Sequence, residues 1–260
     1  MSDAIVYLED VTVAYEGFKA LDRLNFFMDR RELRVVIGPN GAGKTTLLDV
    51  ISGRVKPEHG RVIFGRNTDL TALSENQIAA LGIGRKFQTP SVFVNLTVRE
   101  NVELSLRRPS KGVLATLLGR DTADARERIA ATLATVGLDA KADEPAGALS
   151  HGEKQWLEIG MVMAQDPELL LVDEPVAGMT DEETARTGEL LVSIAADRSV
   201  LVIEHDMEFV RQIGSKVTVL HQGTVLCEGP VAQVQSDERV LEVYLGKRRD
   251  PAHEAAHAAR

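Results

Sequence analysis

One cysteine, Cys227, is present in 260 residues. A single thiol can form no intrachain disulfide and no cysteine-based metal site, which fits a chain kept in a reducing cytosol. No apolar run approaches the roughly 20 residues needed to span a bilayer, so work at a membrane would require another component to hold the chain there. The opening Met-Ser-Asp-Ala-Ile-Val-Tyr has no basic segment followed by an apolar stretch, so no signal peptide is expected. Basic residues are in deficit, with 30 Lys and Arg against 39 Asp and Glu, a net charge of −9 and a pI near 5.3. That balance argues against nucleic acid as a partner, because phosphate neutralisation needs clustered cations. It leaves nucleotide binding open, which relies on a local nest of backbone N–H groups. Residues 247–260 lack large apolar side chains and are expected to form a frayed tail.

What is present suits one large α/β domain, or such a domain with an insertion. Apolar residues make up 44% of the chain, enough for an ordinary buried core. Strands are expected at Ile5–Leu8, Val11–Ala14, Phe26–Met28 and Leu33–Ile37, from apolar runs broken by Asp and Gly. Leu33–Ile37 is almost wholly apolar, as in a strand buried on both faces. A helix is expected at Lys44–Ser52, stopped by Gly53. From about 88 to 165 the character changes, with helical spacing in Val98–Leu106, Ala123–Val136 and Gly152–Gln165. This segment reads as an inserted helical subdomain. Strands resume at Leu169–Val172 and Val200–Ile203, and Val217–His221 with Thr224–Glu228 reads as a hairpin across Gln222-Gly223. No internal repeat is visible.

Two motifs carry chemistry. Gly38-Pro39-Asn40-Gly41-Ala42-Gly43-Lys44-Thr45 matches the phosphate-binding pattern G-x-x-x-x-G-K-[ST] in full, between a strand and a helix. Glycines let the backbone curl around a phosphate with N–H groups inward, and the helix N-terminus adds partial positive charge. Lys44 is placed to reach the β- and γ-phosphates, and the Thr45 hydroxyl to ligate Mg²⁺. Thr46 follows directly and joins the nucleotide-binding set. The second motif is Leu169-Leu170-Leu171-Val172-Asp173-Glu174, a buried strand delivering two carboxylates at its C-terminal end. Asp173 is expected to hold Mg²⁺, and Glu174 to polarise the attacking water as general base. By itself the second motif reads more simply as a strand ending in an acidic turn; the P-loop before it reverses that preference.

Nearly the whole chain resembles the ATPase subunits of ABC transporters, through further motifs in the same order. Leu149-Ser150-His151-Gly152-Glu153 resembles the family signature Leu-Ser-Gly-Gly-Gln. Gln88 resembles the glutamine between core and helical subdomain, His205 the switch histidine, and Tyr15 the aromatic that stacks on adenine. The resemblance implies the P-loop NTPase fold of that family: a mixed sheet core, an antiparallel β part at the N-terminus and an inserted α-helical subdomain, all within 1–246. It implies two such domains packed head-to-tail, with Ser150 and Gly152 of one closing the ATP site of the other. His205 would contact the γ-phosphate and position water and Glu174. Gln88 would contact Mg²⁺, sense the γ-phosphate and pass closure to a permease. ATP and Mg²⁺ are thus the expected cofactors. The expected partners are a second ABC ATPase, identical or related, with integral membrane permeases and, indirectly, a solute-binding protein. Importers of this class generally use two different ATPases, which favours a heterodimer. The expected location is the cytoplasmic face of the inner membrane.

Departures from the family pattern are His151 and Glu153 in the signature. In the loop after Pro175, either Thr180 or Asp181 stands for the usual Asp or Asn. The run from Leu149 to Gly160, with Gly84–Pro90 and Pro175–Thr180, is similar to the ATPase subunits of urea and short-chain amide importers. Glu238–Gly246 is similar to the wider branched-chain amino acid importer class, which supplies the alternative solute. The solute never touches such a subunit, so its choice rests on resemblance alone. Trp156 reads equally as core packing. A soluble ABC ATPase of ribosomes or DNA repair is disfavoured by the single P-loop, the short helical segment and the acidic pI.

Other patterns carry less. His253-Glu254-Ala255-Ala256-His257 matches H-E-x-x-H but lies in the tail with no third ligand after it, so no zinc site is expected. Cys227 reads as a buried or half-buried structural thiol, and Lys247-Arg248-Arg249 as a solvated end.

Overall fold

The computed structural model describes residues 3–86, 91–106 and 123–245. The chain opens with a long hairpin, β1 Ala4–Tyr15 and β2 Phe18–Asp29. Glu16 and Gly17 both take positive φ at its turn (49° and 87°), the geometry that matches strand twist across a two-residue loop. The separate strands expected at Ile5–Leu8 and Val11–Ala14 are one strand. Asp10 at φ 49° and several register shifts absorb the polar interruption as bulges instead of ending the strand. Likewise Phe26–Met28 is only the end of β2.

The hairpin belongs to a four-stranded antiparallel sheet ordered β2-β1-β4-β5, with β4 at His59–Phe64 and β5 at Thr68–Asp69. A second sheet of six strands is ordered β10-β9-β3-β8-β7-β6. Its members are β3 Leu33–Ile37, β6 Ile83–Lys86, β7 Leu169–Asp173, β8 Ser199–Ile203, β9 Lys216–His221 and β10 Thr224–Gly229. All neighbours are parallel except β10 on β9, which form the expected hairpin.

Every residue of β3, β7 and β8 is buried, and alternate side chains enter two cores. Val36, Leu171 and Ile203 face the antiparallel sheet and helix α1 (Lys44–Ile51), against Leu24, Met28, Leu47 and Leu48. Val35, Val172 and Val202 face the other way, into a core shared with the helices that follow. This two-sided burial explains the unbroken apolar runs in the sequence.

Between β6 and β7 lie α3 (Val98–Ser105), α4 (Ala123–Val136) and α5 (His151–Met163). The helical spacing lands as expected: Ile129, Leu133 and Val136 of α4 and Trp156 and Ile159 of α5 are buried, with Met163 packed at the margin. Among the described residues the other α-helices are α2 (Glu75–Ala80), α6 (Asp181–Ala195), α7 (Met207–Ile213), α8 (Val231–Ser236) and α9 (Glu238–Leu245). Helix α1 ends at Ser52 with Gly53 at φ 78°, the stop expected from the sequence. Among the described residues no helix is long and apolar enough to cross a membrane.

Candidate functional site

Strand β3 runs straight into the loop 38–43 and α1. Gly41 and Gly43 sit at φ 78° and 101°, where a side chain would be strained. Gly43 also lies against the Ala20 carbonyl of β2, leaving no room for a Cβ. The Lys44 ammonium is folded over the loop, donating to the carbonyls of Gly38 (2.7 Å) and Pro39 (3.1 Å). Burial lowers its pKa, opposed by the charges of Glu174 and Asp173. A groove of about 400 Å³ is lined by Tyr15, Phe18, Ala20, Asn40–Thr46 and Glu174. Two aromatic rings at the mouth and amides at the base suit a base-plus-phosphate ligand. A larger cavity, about 1140 Å³, lies between Tyr7, Phe27, Arg30 and Arg66 on the antiparallel sheet. It lacks both the loop and the carboxylate pair, so chemistry, not size, identifies the site.

Asp173 ends β7 and is buried beside the loop strand's neighbour β8. Its Oδ1 has no hydrogen-bond partner among the described residues, and its Oδ2 lies 4.0 Å from Arg85 Nη2. Burial raises its pKa, partly countered by Arg85. An orphaned buried carboxylate oxygen whose charge is felt by Lys44 of the P-loop is the donor chemistry Mg²⁺ takes, since that ion is held by one or two carboxylates plus phosphates and water. No cluster of three acidic, His or Cys ligands occurs among the described residues, and none is needed for that mode.

Glu174 adopts a left-handed conformation (φ 44°), a strained geometry for a non-glycine residue and one that recurs at functional sites. Its N–H donates to the Ile203 carbonyl (3.0 Å), which ties the end of β7 to the end of β8. His205, two residues past Ile203, places Nδ1 3.4 Å from Glu174 Oε1. The His205 turn is propped by Glu204, a buried carboxylate accepting from the N–H groups of His205 (2.8 Å) and Asp206 (3.2 Å).

Of the residues singled out from sequence, Tyr15, the loop 38–45, Thr46 and Glu174 share this neighbourhood, with Asp173 and His205 adjoining. Ser150 and Gly152 do not line the groove. Ser150 caps α5, where its Oγ accepts from the Glu153 N–H (3.2 Å). Gln88 lies outside the described residues, as do the tail and its H-E-x-x-H pattern. In the loop after Glu174, Thr180 is the N-cap of α6, and Asp181 is exposed in the first turn of that helix. Trp156 is core: its Nε1 donates to Thr187 Oγ1 (2.8 Å) and the Arg186 guanidinium lies 4.1 Å from the ring centroid. Cys227 is half-buried with its thiol pKa raised by burial, unlike an activated nucleophile.

Sequence reasoning missed Phe18 and Glu204. Phe18 follows the Glu16-Gly17 turn directly, a hairpin signal that would have set it beside Tyr15. Glu204 precedes His205 at the end of an apolar strand, a weaker cue of the same type as Asp173-Glu174.

Comparison with known proteins agrees with this geometry. The family described as ABC transporter matches residues 21–177, and the one described as branched-chain amino acid ATP-binding cassette transporter matches 224–250. The chain is 33% identical over 255 residues to the high-affinity branched-chain amino acid transport ATP-binding protein LivG of Escherichia coli (strain K12), covering 95% of this chain and all of the relative. Among solved structures, it resembles the ADP conformation of an ATP-binding cassette of an ABC transporter, with TM-score 0.82 and 30% identity over 94% of this chain and 99% of that one. It also resembles a dimeric, post-hydrolysis cassette bound to ADP and Pi, with TM-score 0.70 and 26% identity over 87% of this chain and 98% of that one. The chain belongs to the ABC transporter family, in the class of ATP-binding subunits that includes the branched-chain amino acid transport proteins.

Proposed function

We propose that this chain is the engine of a membrane importer, working as half of a composite ATP site. The observation that carries the reading is the gathering of Lys44, Asp173, Glu174 and His205 where the parallel strands of one sheet end. Lys44, Thr45, Thr46 and the amides of Gly38–Gly43 bind the phosphates, and Tyr15, joined by Phe18, covers the base. Thr45 and Asp173, with Gln88, would hold Mg²⁺, which would offset the phosphate charge. Glu174 takes the proton from the attacking water, and His205 holds Glu174 in place while facing the terminal phosphate. Ser150 and Gly152 serve the nucleotide of a second ATPase, identical or related; the likeness to a dimeric cassette supports this pairing. Residues 1–246 form the ATP-binding domain, with 88–165 as its helical insertion and 247–260 as a tail. The chain sits at the cytoplasmic face of the membrane through permease subunits, which a solute-binding protein supplies.

For the solute, the curated relatives support branched-chain amino acids over urea. The urea or short-amide reading stays second, favoured by the run from Leu149 to Gly160 and its Trp156. Uptake of labelled leucine and labelled urea by cells lacking the gene tests this: leucine uptake falls and urea uptake does not. Loss of urea uptake alone reverses the order, and loss of neither, or copurification with ribosomes in place of membrane proteins, overturns the importer reading.

A further inference from the structure

The signature residues of this chain are already engaged by an anion of the chain itself. Glu183, in the first turn of α6, accepts from Ser150 Oγ through Oε1 at 3.0 Å, and the same carboxylate lies over Gly152, whose N–H helps to lower its pKa. A Cβ on Gly152 would stand 2.5 Å from Glu183 Oε1, so the carboxylate rests in the space that a side chain at 152 would take. Its other oxygen, Oε2, accepts from Thr180 N (3.1 Å) and Thr180 Oγ1 (3.2 Å), the capping box that starts α6. One further contact joins the same two segments: His151 Nε2 lies 3.2 Å from the Ala177 carbonyl.

Ser150 Oγ has a single proton, and the Gly152 amide has one as well. Neither can donate fully to Glu183 and to a partner-bound phosphate together, and a carboxylate beside a phosphate is repelled. We propose that Glu183 is an intramolecular competitor for the signature, so that a partner's terminal phosphate must displace it before the composite site closes. The inference rests on the composite-site reading above. Glu183 thereby sets the ATP level needed for closure. Because its other oxygen caps α6, its release bears on the loop that joins Glu174 to that helix.

The test uses the assembled importer, with permeases and both ATPases, titrated with ATP. Glu183→Gln keeps an oxygen for the Thr180 amide but removes the charge. Glu183→Asp keeps the charge and draws it back by one methylene, out of reach of Ser150. Both variants are expected to lower the ATP concentration giving half-maximal hydrolysis by about threefold to tenfold, the range for losing one charge-assisted hydrogen-bonded competitor. The affinity of the isolated chain for a fluorescent ATP analogue, which reads its own P-loop, should stay unchanged. Half-saturating ATP that is unchanged or raised in both variants overturns the proposal, as does a shift in one variant that merely tracks a lowered melting temperature. Ser150→Ala separates the two levels. If it cripples turnover while both Glu183 variants behave as wild type, the competition is wrong and the composite site stands. If it turns over as wild type, the composite site falls and the competition with it.

Discussion

His205 Nδ1 and Glu174 Oε1 are 3.4 Å apart, although the two residues follow different strands. Parallel register brings them together: Asp173 of β7 pairs with Ile203 of β8, and the Glu174 N–H closes the end of that ladder on the Ile203 carbonyl. The candidate base and the histidine proposed to orient it therefore stand on one rigid edge.

Replacing Glu174 by Gln keeps the shape and removes the proton acceptor. ATP binding should be retained and turnover should fall by about 10² to 10⁴, the usual worth of a positioned general base. Phosphate release under saturating ATP checks this, and wild-type turnover would assign the base elsewhere.

His205→Ala leaves Glu174 without its neighbour while Glu204 still props the turn through backbone N–H groups. Hydrolysis should fall by about 10² or more with little change in ATP affinity, because in the proposed site the imidazole faces the reacting end of the nucleotide. Equal loss in affinity and rate would make it a ground-state contact instead.

Glu158 of α5 is buried, and burial pushes its pKa up to about 7, opposed by the Lys86 charge and the Ser91 N–H. A carboxyl with a folded pKa above its ordinary value of 4.5 favours the fold when protonated. Its contribution is complete below about pH 4.5 and is lost as pH rises through about 7. Glu158→Gln should thus flatten the dependence of melting temperature on pH between 5 and 8. An unchanged slope would mean that Glu158 stays ionised throughout that range.

Trp156→Phe removes the bond from Nε1 to Thr187 and part of the surface under Arg186. Thr187 retains the Glu183 carbonyl as acceptor. The loss should be about 1–3 kcal/mol, combining one hydrogen bond with a small cavity. Urea denaturation measures it. Because Trp156 lies in the core away from the groove, ATP affinity of the isolated chain should not move.

The legible parts were those where contiguous residues do one job. The P-loop could be read because a phosphate nest needs successive amides and glycines between a strand and a helix. β3, β7 and β8 were legible because two-sided burial demands unbroken apolar runs. β6 was not: Ile83-Gly84-Arg85-Lys86 puts two cations in a strand, and what makes that tolerable is Asp49, Ser52 and Asp173 beside Arg85 and the carboxylates around Lys86. Helix α6 opens Asp-Glu-Glu-Thr, which shows no apolar stripe until Leu190 and Leu191 reach the core. The bulges in β1 were hidden for a related reason, since Asp10 looks like a strand end until its neighbours pair across it.

From the sequence alone came the nucleotide chemistry: a loop, two carboxylates and a signature, each local, in an order that the family requires. Tertiary structure decided what these groups meet. Helix α6 packs beside α5 and brings Glu183 onto Ser150, 33 residues away in the chain; parallel register brings His205 onto Glu174. No local propensity encodes either contact. Each depends on where rigid elements come to rest once their apolar faces are buried.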